Sequence, residues 1–212
     1  MGRRHRVAVI VAHPDDETLW AGGTILGHPE WACLVATLCR ASDLDRAPKF
    51  LRAVERLGAS GRMADLDDGP EQRPLPPQAV QETIVSLLPA RPFDLVLTHG
   101  PGGEYSRHLR HEETSSAVTA LWRANQIRAR ALWLFAYDDG GGQHLPVAAS
   151  GAHRRQRLSE EIWQAKYGII TEIYGFCPGS LEARMTPRVE AFWCFASPEE
   201  VQEWLAVRGT GR

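Results

Sequence analysis

The sequence is short of lysine, of paired cysteines and of long apolar runs, and each shortage removes a class of protein. Only Lys49 and Lys166 are lysines, so arginine supplies nearly all of the 24 basic residues. They are offset by 26 acidic residues, for a net charge of -2. That balance speaks against a general nucleic-acid binder, which carries a basic excess. The four cysteines, Cys33, Cys39, Cys177 and Cys194, form no C-x-x-C pair, which excludes zinc ribbons and thioredoxin-like redox chemistry. Scattered thiols in a chain of this size predict buried cysteines in a reducing compartment. No stretch approaches the roughly twenty apolar residues of a membrane span. The basic start through Arg6 imitates a signal peptide, but its apolar run stops at Ala12 and acids follow at once. The expectation is a soluble, cytoplasmic protein with neither a nucleic-acid nor a membrane partner. Oligomeric state is left open.

What is present suits one compact domain. The 212 residues are 43% hydrophobic and 24% charged, ordinary values for a chain that buries a core without staples. Residues 7–12 are a β-branched run without polar alternation, the pattern of a strand covered on both faces. Similar pieces recur at 33–38, 95–98 and 131–136. Helical spacing fills the intervals at 48–57, 77–88 and 112–125, the first of them stopped by Gly58. This alternation predicts an α/β fold: a Rossmann-like, mostly parallel sheet with helices on both faces, in a single domain over 1–212. Beyond Gly151, residues 154–167 read as a helix, 189–195 as a last strand, and the tail from 198 as a short outer helix. Residues 68–77 read as a Pro-rich loop and Gly140-Gly141-Gly142 as a flexible one.

The first strand exits into His13-Pro14-Asp15-Asp16-Glu17. In open α/β folds, ligands bind at the carboxyl ends of strands. No G-x-G-x-x-G follows this strand, so a dinucleotide site is disfavoured. An imidazole and three carboxylates within five positions are costly at a buried strand end unless a cation compensates. A divalent metal is the simplest answer. The bland reading is that Asp15 or Asp16 caps the following helix. A second cluster, from Gly102 through Glu113, holds His108 and His111 three apart. Alone, H-x-x-H is weak. With the first cluster it supplies the three protein ligands of a catalytic zinc, which leaves one position open.

These residues resemble the LmbE/PIG-L-like zinc deacetylases. The resemblance rests on His13-Pro14-Asp15-Asp16-Glu17, Gly22-Gly23-Thr24, Arg46, Ala53, Leu57-Gly58, Asp68-Gly69, Thr98-His99-Gly100 and the downstream pair His108 and His111. It implies a catalytic core over about 5–140 and a variable, substrate-facing region over about 140–197. It also implies roles. His13, Asp16 and His111 would bind Zn2+, with Fe2+ also compatible with such a donor set. Asp15 would be the general base for the attacking water. His108 would stabilise the oxyanion or protonate the departing amine. The implied reaction removes an N-acyl group, above all acetyl, from an amino sugar or related amine. An amidase acting on a larger conjugate and a metal-containing binding protein remain alternatives.

The departures matter as much. The family usually has Gly before the first of these histidines and Asp before the second; here Arg107 and Arg110 stand there. The carboxylates left to orient His108 are Glu104, Glu112 and Glu113. Lys49 stands where Glu is common. Arg107 and Arg110, with Arg46 opposite, could flank the mouth and favour an anionic substrate. Alternatively they pair with Glu112 and Glu113. Asp68 and Tyr105 complete the expected substrate-binding set, His99 is expected as a wall residue, and Trp20 as a pocket liner.

Overall fold

The computed structural model describes residues 4–105 and 107–209. Its centre is a seven-stranded sheet. The chain runs β1 (Arg6–Val11), α1 (Asp16–Leu26), β2 (Ala32–Thr37), α2 (Arg46–Arg56), β3 (Ser60–Met63), α3 (Pro77–Leu87) and β4 (Leu95–Thr98). It continues through α4 (Leu109–Arg123), β5 (Leu132–Phe135), β6 (Tyr137–Asp138), β7 (Val147–Ala148), β8 (Arg154–Arg157) and α5 (Glu160–Gly168). A π-helical turn (Ile169–Ile173), α6 (Leu181–Met185), β9 (Val189–Phe195) and α7 (Pro198–Gly209) complete it. The strand order is β3-β2-β1-β4-β5-β9-β8. The first five strands are parallel, and β9 runs antiparallel between β5 and β8.

The unalternated apolar strands are explained by the helices on either side. Successive strand side chains point to opposite faces. Val7, Val9 and Val11 pack on Leu19, Phe50, Ile169 and Ile170. Ala8 and Ile10 pack on Val80, Ile84, Val118 and Leu121. Each fully buried Val, Leu, Ile or Phe side chain among these is worth about 1.5–3 kcal/mol relative to exposure. No helix among the described residues is long and apolar enough to cross a membrane.

The chain lays strands outward from β1 to β3, then returns to lay β4 on the other side of β1. The order therefore reverses between β1 and β4, whose carboxyl ends open a crevice at this switch point. Both chemistry-bearing clusters leave the sheet there.

Three readings are corrected. Residues 154–157 are not the start of a helix; they are β8, paired antiparallel with β9. The helix begins only after Ser159, whose hydroxyl accepts from the Ile162 N–H, and the Arg-rich segment before it is a sheet edge, where charge is tolerated. Strand β3 was not anticipated, because Ser-Gly-Arg-Met has no apolar run to announce it. Among the cysteines, Cys33 and Cys39 are buried, but Cys177 is exposed and Cys194 only half-buried.

Gly22-Gly23-Thr24 acquires a packing reason at Gly23. A Cβ there would lie 2.4 Å from Leu158 Cδ1 and 3.0 Å from Glu190 Oε1. Glu190, fully buried on β9, accepts from the Gly23 N–H, the Thr24 N–H and the Thr24 hydroxyl at 2.6–2.7 Å. Lys166 of α5 pairs with it at 2.6 Å, also fully buried. Helix α1, which carries Asp16, is thereby tied to the far half of the sheet.

Candidate metal centre and active site

The turn from β1 into α1 is strained. Asp15 has φ 115°, a conformation that non-glycine residues rarely adopt. Neither acid caps the helix. The Asp15 side chain makes no capping bond and instead accepts from Arg46 Nη1 at 3.2 Å. The Asp15 N–H donates to Glu17 Oε2 (3.0 Å). Glu17 is fully buried, and its other oxygen accepts from Tyr174 Oη (2.8 Å) and Thr18 Oγ1 (2.5 Å). Burial raises the Glu17 carboxyl to about 7 against the pull of these hydrogen bonds. Glu17 thus holds the strained peptide that aims Asp15 and Asp16 into the crevice.

Three acceptor atoms converge in that crevice. His13 Nδ1 lies 3.2 Å from His111 Nε2 and 3.3 Å from Asp16 Oδ2, and His111 Nε2 lies 3.3 Å from Asp16 Oδ2. The edges of a tetrahedral site with bonds of 2.0–2.1 Å are about 3.3–3.4 Å. The far nitrogens of both rings are already committed. His13 Nε2 donates to Asp68 Oδ1 (3.1 Å). His111 Nδ1 donates to Glu104 Oε2 (2.7 Å). Each imidazole therefore turns a lone pair inward, beside a carboxylate. Burial would raise the Asp16 carboxyl, but His111 and His99 outweigh it and hold the group well below its usual range, ionised. Three converging acceptors repel one another unless a cation sits among them, so the donor set fits a divalent metal such as zinc.

Glu104 was weighed as a partner of His108, but the structure gives it a different one. Fully buried, it accepts from His111 Nδ1, from His99 Nδ1 (2.8 Å) and, on its other oxygen, from the Gly100 N–H (2.8 Å). Burial opposes its ionisation, but His99 and the hydrogen bonds prevail and lower it to about 2. His99 is a wall residue, since its Nε2 accepts from the Ala12 N–H (2.9 Å). Glu104 and Asp16 draw the ring toward protonation, and that bond opposes it.

His108 stacks on His111, with centroids 4.5 Å apart. Its buried Nδ1 has no hydrogen-bond partner. None of the three candidate carboxylates reaches it, because Glu112 is taken by Arg107 and Glu113 by Arg110. Burial first, then the neighbouring His111 and His13, lowers it to about 4. It is a neutral imidazole near pH 7, not a standing imidazolium.

The expected substrate-binding residues separate. Arg46 and Tyr105 line a cleft of about 230 Å3 together with His13, Asp15, Asp68 and His108. Asp68 borders this cleft, but its side chain is spent: Oδ1 on His13 and Gln72, Oδ2 on Arg40 at 2.7 and 3.0 Å. It orients His13 instead of being free for substrate. Arg107 is 74% exposed and forks onto Glu112. It lines a neighbouring cavity of about 550 Å3, and Tyr105 forms a shared wall with the cleft. Arg110 is 2% exposed and lies apart. Its guanidinium is committed to Glu113 (2.6 Å) and to the Asp67 and Arg73 carbonyls. Trp20 does not line the cleft; it is fully buried and donates to Asp16 Oδ1 (3.3 Å).

A family profile described as PIG-L: GlcNAc-PI de-N-acetylase matches residues 8–122, more than half of the chain and every residue of the triangle. The chain belongs to the PIG-L family. A comparison with curated sequences finds no match. Among solved structures, this PIG-L domain is similar to the A40926 pseudoaglycone deacetylase Dbv21, at 19% identity and TM-score 0.65, covering 92% of this chain and 98% of that one. It is also similar to the N,N'-diacetylchitobiose deacetylase of Pyrococcus horikoshii, at 14% identity and TM-score 0.69, covering 90% and 84%. A third, GalB of Pseudomonas putida, is a 4-carboxy-2-hydroxymuconate hydratase, at 16% identity and TM-score 0.58, covering 90% and 95%. These likenesses establish the fold. A hydratase among them means that the fold alone does not choose the reaction.

Proposed function

We propose that this PIG-L domain is a metal-dependent N-deacetylase that hydrolyses an acetamide on an amino sugar or related amine. The observation that carries the reading is the His13–Asp16–His111 triangle, with both outer ring nitrogens anchored by carboxylates. Zinc is the proposed ion, and iron(II) suits the same donors. When bound, the ion supplies Lewis-acid polarisation of the amide carbonyl and lowers the pKa of a water.

The remaining work falls to the chain. Asp15 stands beside the triangle without belonging to it and takes the proton of the attacking water. Burial and the neighbouring Asp16 raise its carboxyl well above the usual range, against the pull of Arg46, which strengthens it as a base. It then carries that proton toward the departing amine. His108 lines the cleft as a neutral ring and donates a hydrogen bond to the carbonyl oxygen as charge builds there. Arg46 holds Asp15 in place and, with Tyr105, contacts the substrate beside the scissile amide. Arg107 borders the adjoining cavity, where the rest of a larger substrate would lie.

The test is Asp15→Asn. Acetate release from acetylated amino sugars should fall by roughly 10^2–10^4-fold while metal content, by mass spectrometry, stays at the wild-type level. A wild-type protein that binds metal and releases no acyl group from any acylated amine would leave a binding protein instead. Turnover of bulky amides alone would favour the larger-conjugate amidase.

A further inference from the structure

A separate cavity opens at the amino ends of the strands, about 20 Å from the triangle by the length of β1. It encloses about 490 Å3 between the starts of β1, β2 and β3 and the approach to β4. Arg4, Arg6, Arg62 and Arg91 line it with Trp31 and Phe93, and no carboxylate is among the lining residues. The adjacent Asp94 accepts from the Arg6 backbone N–H (3.0 Å) and faces Arg130 at 3.6 Å. Among the described residues, no carboxylate pairs with any of the four guanidinium groups. Arg62 donates to the Leu87 carbonyl (2.9 Å). The buried Nε of Arg6 has no partner at all.

Other arginines of the chain are spent on acids. Arg40, Arg46, Arg107, Arg110 and Arg188 each hold a carboxylate within 3.2 Å. Four uncompensated like charges around one concavity create a local positive field. An orphaned buried donor is a deficit that a ligand acceptor would fill. Guanidinium groups match the oxygens of phosphates in a forked geometry, and the cavity is within the size range of small-molecule sites. We propose that this cavity binds a compact diphosphate-bearing anion, either inorganic pyrophosphate or a nucleoside diphosphate whose ring meets Trp31 and Phe93. The site is separate from the catalytic crevice and does not depend on the deacetylase reading.

Isothermal titration of the metal-loaded protein with pyrophosphate, ADP and sulfate, at one fixed ionic strength, tests it. Saturable binding of a diphosphate below about 1 mM is expected, with sulfate at least tenfold weaker. Arg4 and Arg91 are exposed, so Arg4→Glu and Arg91→Glu should fold, and each should weaken binding at least tenfold. ADP tighter than pyrophosphate identifies the nucleotide as the preferred ligand, and equal affinity identifies the diphosphate alone. Three results would overturn the proposal: no saturable binding, sulfate binding equally well, or affinity unchanged in both variants, which would place the anion elsewhere.

Discussion

Replacing Glu104 by Gln alters one atom of a fully buried side chain and strikes the metal centre from behind. Glu104 serves three donors: His111 Nδ1 and His99 Nδ1 on Oε2, and the Gly100 N–H on Oε1. Glutamine has one acceptor oxygen where glutamate has two. If that oxygen faces the histidines, the new NH2 group meets the Gly100 N–H, donor against donor. If it faces Gly100, the NH2 group meets two ring N–H groups. His111 escapes by moving its proton to Nε2, the atom that the triangle needs bare. Either orientation weakens the site. Loss of such an outer partner typically costs 10–100-fold in metal affinity, or about 1.4–2.7 kcal/mol. Chelator-competition titration of zinc, on wild type and E104Q side by side, measures it. Zinc affinity within twofold of wild type would refute the assignment of Glu104 as the carboxylate that sets the His111 tautomer.

Four further outcomes follow from the same geometry. Arg110→Met should cost about 2–4 kcal/mol in urea denaturation, since it removes a buried guanidinium and strands the half-buried Glu113 carboxylate and two carbonyls. Arg107→Ala should cost under about 1 kcal/mol, because Arg107 itself stands in solvent; equal losses for the two would contradict their assigned burial. Gly23→Ala should destabilise by about 1–3 kcal/mol through the clash with Leu158, read as a lowered urea midpoint. Glu190→Gln strips Lys166 of its counter-charge and should cost about 3–5 kcal/mol, while the double variant K166M/E190Q should recover part of the loss. Burial already lowers the Lys166 pKa from its ordinary 10.5 despite the help of Glu190. In E190Q the folded state therefore binds fewer protons than the unfolded state between the depressed value and 10.5. Stability of E190Q should rise with pH across that window, and a flat or falling profile would contradict the pairing.

Much of the site was legible because its chemistry is local. His13, Asp15 and Asp16 share one strand exit, and His108 and His111 share one helix start, so a short read of the chain finds both clusters. The α/β class was legible for a similar reason: residues 7–12 and 95–98 carry no polar alternation, which only a doubly covered sheet requires. What failed to show was long-range. Glu104 read as a candidate partner of His108, and only the path of the loop from Gly100 gives it to His111 and His99. Asp68 looked like a substrate contact until its oxygens were found on His13 and Arg40, 55 and 28 positions away in sequence. Glu17 and Tyr174, 157 positions apart, meet behind Asp15 with no periodic signal to announce them. Arg110 looked like a match for Arg107, yet one is buried and the other is 74% exposed, because Arg107 lies in the loop before α4 and Arg110 in its first turn.

By itself the sequence determined the types of the strongly patterned elements through periodicity, the exit points of the chemical groups, and the identity of the donors that could meet a cation. Side-chain chemistry and local spacing are properties of the chain, and they survive any arrangement of it. The tertiary structure decided which donors converge, which nitrogen of each imidazole faces inward, and which arginines are spent and which stand unpaired. Those depend on strand order and on burial. The reversal between β1 and β4 brings two clusters nearly a hundred residues apart to within 3.3 Å, and the low dielectric of that crevice fixes their charges.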